Sequence, residues 1–190
     1  MMSRDRRPTL AVPAALGAFA LTAALSGCGV IGQPQNKSAE LSEWFTVTSP
    51  VFRDGRDLPT RYGCASGQGR TPPLRWSGAA PRSFAIVMDD PDAENGAYVH
   101  WVIAGIDGTT HELVEGARLP NTVEGLSTGK KVGYTPPCPP KGERHRYRFT
   151  IYALDDPAPF KSGATLKESL GAIAKHTVGR GRITGNFGSK

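Results

Sequence analysis

The residues of this chain that are best suited to chemistry are carboxylates and imidazoles near the ends of short apolar runs. Asp89, Asp90 and Asp92 gather three carboxylates at the end of one such run. Neighbouring acids repel one another unless cations, hydrogen-bond donors or water compensate them. A calcium loop is excluded, because aligning Asp90 and Asp92 with its first two ligands puts Asn95 at the glycine position and Trp101 at the glutamate position. The cluster is therefore either a turn shaped by aspartates or part of a binding site.

His100 lies inside a second apolar run, 98–106, on the face that also carries Tyr98, Val102 and Ala104. An imidazole within an apolar strand is usually a hydrogen-bonded core residue. If an aspartate orients one ring nitrogen, the other can face a ligand as a donor, and a protonated ring attracts anions. His100 is therefore either a core residue or part of an anion site.

A proline-rich stretch at 133–140, GYTPPCPP, precedes Lys141, Gly142 and His145. Its four prolines fix φ at about −65° and remove backbone donors. The stretch predicts either a rigid pocket wall or a plain stiff loop. The chain has no Gly-x-Ser-x-Gly elbow, His-Glu-x-x-His motif or Walker loop. We accordingly expect no metal site, no cofactor and no enzymatic turnover.

Short β-branched or aromatic runs between glycine, proline and aspartate clusters predict the strands that position these residues. They are 44–47, 83–88, 98–106, 145–154 and 182–187. The uninterrupted apolar run 83–88 fits a strand covered on both faces. Strand 145–154 alternates between polar and apolar residues, which predicts a half-buried strand.

One stretch, 165–175, predicts a helix. Leu166, Leu170 and Ile173 recur at spacings of four and three, and Thr165 with Glu168 fits a capping box. The segment 113–133 is polar and rich in glycine, and it predicts a long surface connection with at most one short element.

Length and composition predict one β-rich domain. The chain has 190 residues, of which 38% are hydrophobic, and this is enough for one buried core. Its 23 glycines and 16 prolines exclude a coiled coil or a helical bundle. Three of the 23 basic and one of the 17 acidic residues lie in the first 27, so the remainder carries +4. These charges are scattered, and we expect no nucleic-acid partner.

The amino terminus has the three parts of an export signal. Three arginines within the first seven residues precede an uncharged stretch at 10–27, which leads to Leu25-Ser26-Gly27-Cys28. This tetrad resembles the bacterial lipobox, which implies cleavage before Cys28 and lipidation of its thiol. Length alone also allows a retained transmembrane helix. Both the general and the twin-arginine export routes remain open.

This interpretation divides the chain into a lipoprotein signal peptide at 1–27, a flexible tether at 28–41 and a domain at 42–190. Two or three acyl chains on Cys28 would anchor the chain stably to the outer face of the bacterial cell membrane. The tether is polar, glycine-containing and short of large apolar residues after Ile31.

Cys64 and Cys138 are the cysteines that remain beyond Cys28. Their spacing does not fit a zinc site. In an exported domain they are either joined in a disulfide or are two buried free thiols.

Five short motifs follow one another in an order that is typical of a known family. They are Arg61-Tyr62-Gly63-Cys64, Pro72-Pro73-Leu74-x-Trp76, Asp90-Pro91-Asp92-Ala93, His100-Trp101, and Cys138-Pro139-Pro140-Lys141-Gly142 leading to His145-Arg146-Tyr147. This pattern resembles the phosphatidylethanolamine-binding protein family, most closely its bacterial YbhB/YbcL branch, described as Raf-kinase-inhibitor-like. The resemblance covers about 45–188. It implies an all-β-dominated fold, an antiparallel β-sandwich with a short carboxyl-terminal helix and a small anion-binding pocket at one end.

By motif position, the resemblance also implies the ligand-binding residues, which are Asp90, His100, Pro139, Pro140, His145 and Tyr147. Two imidazoles can donate to phosphate or carboxylate oxygens, and an aspartate can fix a tautomer or raise an imidazole pKa. Two positions depart from the family. Glu94 replaces a proline and adds a charge beside the pocket, and Pro136 replaces a glycine that could let a ligand approach the backbone.

These features favour a membrane-anchored module that binds a small anionic ligand, such as phosphate or a phospholipid head group, without turnover. Two other classes remain open. One is an inhibitor of a protease or other hydrolase that acts through surface loops. The other is a hydrolase that uses His100 and His145 as acid and base, with Asp90 as orienter. An exported domain does not meet a cytoplasmic Raf-like kinase, so we expect no such partner.

Overall fold

Ten strands and one α-helix make up the computed structural model, which describes residues 43–67, 69–78 and 81–188. The strands are β1 (Glu43–Trp44), β2 (Val47–Thr48), β3 (Arg56–Asp57), β4 (Leu74–Trp76), β5 (Ser83–Asp90), β6 (Tyr98–Asp107), β7 (Glu112–Leu113), β8 (Val123–Glu124), β9 (Arg144–Leu154) and β10 (Thr177–Gly188). Helix α1 (Leu166–His176) joins β9 to β10. Two short 3-10 turns, Thr60–Tyr62 and Cys64–Ser66, precede β4.

The strands form two sheets. The larger has the order β1-β10-β9-β5-β6-β8, and β3 also pairs with β10. The smaller has the order β2-β4-β7. The long strands β5, β6, β9 and β10 pair antiparallel, whereas the two-residue strands β1 and β3 run parallel to β10. The predicted all-β-dominated sandwich with one short helix is confirmed. The sheet departs from the predicted antiparallel pattern only where β1 and β3 pair with β10, among the residues described.

The two faces of the larger sheet are covered by different elements. The smaller sheet covers one face, where Trp76 packs edge-on against Phe84 with ring centroids 5.6 Å apart. Helix α1 covers the other face through Ile173, which packs with Val87 and Leu154. All eight residues of β5 are buried as a result. This confirms the prediction that the apolar run 83–88 is a strand covered on both faces.

The capping box predicted for the helix is present. The side chain of Thr165 accepts a hydrogen bond from the backbone N–H of Glu168, and the Glu168 carboxylate accepts one from the backbone N–H of Thr165 at 2.9 Å. Two orphan donors at the helix start are thereby satisfied.

Three predicted elements differ from the structure. The predicted strand 44–47 is wrong as a single strand, because β1 and β2 belong to different sheets. The chain crosses between them at Phe45, whose carbonyl lies so close to Gly181 that a Cβ there would be 2.3 Å away. The last strand is longer than 182–187, and the segment 113–133 contains β8 and an isolated bridge between Leu126 and Val132.

The predicted signal peptide, Cys28 and the whole of the predicted tether lie outside the described residues. Within the described part of the chain, no helix is long and apolar enough to cross a membrane.

Candidate functional site

A cavity of about 580 Å³ opens where β5 ends and β6 and β9 begin. The three strand ends meet because both neighbours of β5 run antiparallel to it. The cavity is lined by Asp90, Ala93, Glu94, Tyr98, His100, Thr135, Pro136, Cys138, Pro139, Pro140, Glu143, His145 and Tyr147. All six residues that the resemblance implied are therefore brought together, and their role in binding stays a prediction.

The three carboxylates at the end of β5 each have a separate partner. Asp89 pairs with Arg148, which lies opposite it on β9. Asp92 accepts bonds from the backbone N–H and the guanidinium of Arg146 at 2.8 and 2.9 Å. Asp90 accepts from the backbone N–H of Asp92 at 2.9 Å and from His145. The cluster is thus a turn whose charges are compensated one by one, and Asp90 both shapes the turn and faces the cavity.

His145 is held between two carboxylates. Its Nδ1 lies 2.7 Å from Asp90 Oδ2, and its Nε2 lies 2.9 Å from Glu143 Oε2. Burial alone would lower the pKa of His145, but the carboxylates of Glu143 and Asp90 raise it above its ordinary value. With an acceptor at each nitrogen, the ring is stabilised as an imidazolium that donates from both.

His100 has a different environment. Its Nδ1 lies 3.1 Å from the carbonyl oxygen of Thr135, and its ring packs against those of Tyr98 and Tyr147, with centroids 4.7 and 5.3 Å away. Burial lowers the pKa of His100, although the bond to Thr135 opposes this. The ring is therefore neutral, with the proton on Nδ1 and an acceptor at Nε2. The aspartate of the site orients His145, and a peptide carbonyl orients His100.

A β-bulge places His100. Met88 pairs with Trp101 and Asp89 pairs with Val99, which leaves His100 as the extra residue of β6. Val99 and Trp101, two positions apart, consequently belong to different core clusters. The sequence analysis placed His100 on the same face as Val102 and Ala104 because side chains alternate along a strand. The bulge interrupts this alternation, and β-bulges next to functional sites change the direction of side chains.

Tyr147 adds a hydroxyl to the cavity. Burial and the nearby Asp90 carboxylate raise its pKa well above the ordinary value. The hydroxyl therefore stays protonated and can act as a donor at any physiological pH.

The proline-rich segment is tied down at several points. Cys138 is joined to Cys64 by a disulfide, with Cα atoms 5.3 Å apart. The backbone N–H of Cys64 also donates to the carbonyl of Pro137 at 2.9 Å. Pro139 lies against Gly188, where a Cβ would come within 2.8 Å of the proline ring. Of the two interpretations of the segment, the rigid wall is the one that this arrangement favours.

Glu143 and Tyr98 line the cavity but were missed as site residues from the sequence. Glu143 is two positions before His145, a spacing that puts side chains on the same face of an extended chain. That spacing was the available signal. Glu94, which the sequence did single out, lines the cavity as expected.

Comparison with known proteins adds to this geometry. Residues 48–188 match the family model described as "Phosphatidylethanolamine-binding protein". The chain belongs to this family. It is 35% identical to the "Putative lipoprotein LppC" of Mycobacterium tuberculosis over 192 residues, covering 92% of this chain and 95% of LppC. It is also 35% identical to a UPF0098 protein of Chlamydia muridarum, covering 74% of this chain and 97% of that protein.

Two solved phosphatidylethanolamine-binding protein structures have the same fold. A homologue from Chlamydia trachomatis, CT736, matches with a TM-score of 0.70 and 33% identity, covering 78% of this chain and 100% of that one. YbcL of Escherichia coli, described as a new member of the mammalian PEBP family, matches with a TM-score of 0.71 and 27% identity, covering 77% and 99%. The predicted family and fold are confirmed.

Proposed function

We propose that this chain is a membrane-anchored binding module that holds a small oxyanion, such as phosphate or a phospholipid head group, in the cavity without turning it over. The observation that carries the proposal is the buried ring of His145, which Asp90 holds at the end of the large sheet and whose raised pKa favours the imidazolium. A positioned cation within a rigid cavity is a suitable partner for an anion.

The other lining groups complement a phosphate. Nε2 of neutral His100 is an acceptor for a protonated phosphate oxygen, and the Tyr147 hydroxyl interacts with Asp90, the carboxylate that holds His145. Because Thr135 and Asp90 already orient the two rings, little ordering cost remains for the ligand.

The cavity gives less support to a hydrolase. Its cysteine, Cys138, is held in the disulfide and is no thiolate nucleophile. The raised pKa of His145 favours the imidazolium, which has no lone pair with which to accept a proton.

The anchoring part of the proposal rests on the sequence and on one relative. Leu25-Ser26-Gly27-Cys28 resembles a lipobox, and the relative named as a lipoprotein aligns over 92% of this chain. A tether of roughly a dozen residues has a root-mean-square reach of about 20 Å. The domain would then stand just off the outer face of the cell membrane.

The test is a titration of the full chain, in neutral detergent, with inorganic phosphate and separately with glycerophosphoethanolamine, followed by NMR of the histidine rings. We expect saturable shifts at His100 and His145 at millimolar ligand. His145→Gln should abolish them. The matched control is His176→Gln, because His176 binds Asp155 away from the cavity. No saturable shift with either ligand would refute the proposal, and the distinction between the ligands identifies the source of the phosphate group.

A further inference from the structure

The carboxylate of Glu143 occupies the hydrogen-bonding position on His145 that the proposed ligand would use. Its carboxylate oxygen is 2.9 Å from His145 Nε2, the one nitrogen of that ring that Asp90 does not use. An oxyanion that binds the imidazolium needs this same N–H. Within the described residues, Glu143 forms no other side-chain hydrogen bond or ion pair.

The backbone of Glu143 is fixed while its side chain is free to turn. Its backbone N–H donates to the carbonyl of Pro140 at 3.0 Å, and its own carbonyl lies against Gly188, where a Cβ would be 2.1 Å away. The side chain, by contrast, is 57% exposed. A rotamer change alone can therefore move the carboxylate off His145 into water, and such changes at exposed residues take picoseconds to nanoseconds.

We propose that Glu143 is an internal competitor for the anion site, an affinity-determining residue whose carboxylate occupies His145 Nε2 until a ligand oxyanion displaces it. The proposal rests on the proposed function, because it concerns the same cavity. The family resemblance assigned no role to Glu143, and this proposal gives it one.

Competition of this kind lowers the affinity for every oxyanion that needs His145 Nε2. The tethered carboxylate acts at a high effective concentration, so the apparent dissociation constant rises in inverse proportion to the fraction of molecules in which Glu143 is undocked. A charge-assisted hydrogen bond that is half exposed to water makes this factor about ten.

Glu94 offers a matched control. It is a second glutamate lining the cavity, and it forms no hydrogen bond or ion pair with the described residues. Neutralising it removes the same charge from the cavity without freeing His145. Both substitutions therefore remove one negative charge from the cavity, but only Glu143→Gln removes the carboxylate that competes for His145 Nε2.

The experiment is a titration of inorganic phosphate into the full chain in neutral detergent, with the wild type, Glu143→Gln and Glu94→Gln followed by NMR of the His145 ring. We expect Glu143→Gln to bind phosphate about tenfold more tightly than the wild type, and Glu94→Gln about twofold or less. Before ligand is added, the pKa of His145 should fall in Glu143→Gln and change less in Glu94→Gln, which shows that the contact exists in solution.

The outcomes separate the two proposals. If the wild type binds phosphate and the two variants bind within twofold of each other, the competitor role is wrong and the anion site stands. Weaker binding by Glu143→Gln would also overturn it, since Glu143 would then assist the ligand. If no variant binds phosphate, including Glu143→Gln with its free N–H, the anion-binding function itself fails.

Discussion

The two histidines of the cavity lie on the two strands that flank β5, and both are only 6% exposed, yet their pKa values are shifted in opposite directions. His145 faces a carboxylate at each ring nitrogen, and its pKa is raised. His100 faces a peptide carbonyl and two aromatic rings, and its pKa is lowered. At equal exposure, burial prevails at His100 and lowers its pKa, whereas at His145 the two carboxylates outweigh burial and raise the pKa.

The comparison also explains how one cavity can present both a cation and an acceptor. The His145 side is built by regular strand pairing, which places Asp90 beside β9. The His100 side is built by a β-bulge and by Thr135 of the proline-rich segment. One side therefore depends on an ion pair between strands, and the other depends on a loop that a disulfide holds.

The largest effect is expected from removing that disulfide. Cys64→Ser combined with Cys138→Ser releases a link across 74 positions of the chain and should lower the free energy of unfolding by about 4 kcal/mol. Because Thr135 lies in the released segment, the ring signals of His100 should shift more than those of His145. Denaturant unfolding and ring NMR of the full chain measure both effects. Equal shifts at the two rings would contradict the division of the cavity into two sides.

A smaller loss is expected from Asp90→Asn, which breaks the His145 side alone. Asp90 is the buried partner of His145, and the exposed Glu143 compensates the remaining charge only in part, so the free energy of unfolding should fall by about 3 kcal/mol. The pKa of His145 should fall, while Thr135 still orients His100.

The control for this substitution lies in the same turn. Asp92→Asn breaks an ion pair with Arg146, whose side chain is 60% exposed, and should cost about 1 kcal/mol or less. Denaturant unfolding of both variants compares the costs. A loss from Asp92→Asn as large as that from Asp90→Asn would show that the turn, rather than the His145 pair, carries the stability.

Much of this arrangement could be predicted from local patterns. The apolar run of β5 and the Thr165–Glu168 capping box depend on neighbouring residues only, and the sequence shows them directly. The six ligand-binding residues implied by the resemblance do line one cavity. Motif order predicts the cavity residues because these motifs lie at or near the strand ends that meet at the cavity.

The remaining features depend on long-range geometry. β5 lies between β6 and β9, so the sequence could not tell which histidine Asp90 meets. The bulge at His100 and the strand register decide it. The contact between Glu143 and His145 depends on how the turn after Pro140 closes, and the division of 44–47 between two sheets depends on Phe45 crossing over Gly181. None of these has a signature in residue type alone.

The smallest expected effect is in the pH dependence of stability, and it compares the two histidines directly. Above pH 6.5, the ordinary histidine pKa, folded His145 keeps a proton that the unfolded chain has lost. The stabilisation by this group is therefore fully present below pH 6.5, and the free energy of unfolding falls as the pH rises through the raised pKa. For His100 the sign is opposite: below pH 6.5 the unfolded chain binds a proton that the folded ring resists, so stability falls as the pH falls towards the lowered pKa.

The two groups thus act on opposite sides of pH 6.5, and each can be removed separately. We expect His145→Gln to flatten the decline at higher pH and His100→Gln to flatten the decline at lower pH, in denaturant unfolding of the full chain from about pH 5 to about pH 9. Glu143→Gln should flatten the higher-pH decline in part, because it removes one of the two carboxylates that raise the His145 pKa. If both histidine substitutions flattened the same limb, the two rings would share one charge state, and the opposite roles inferred from their partners would be wrong.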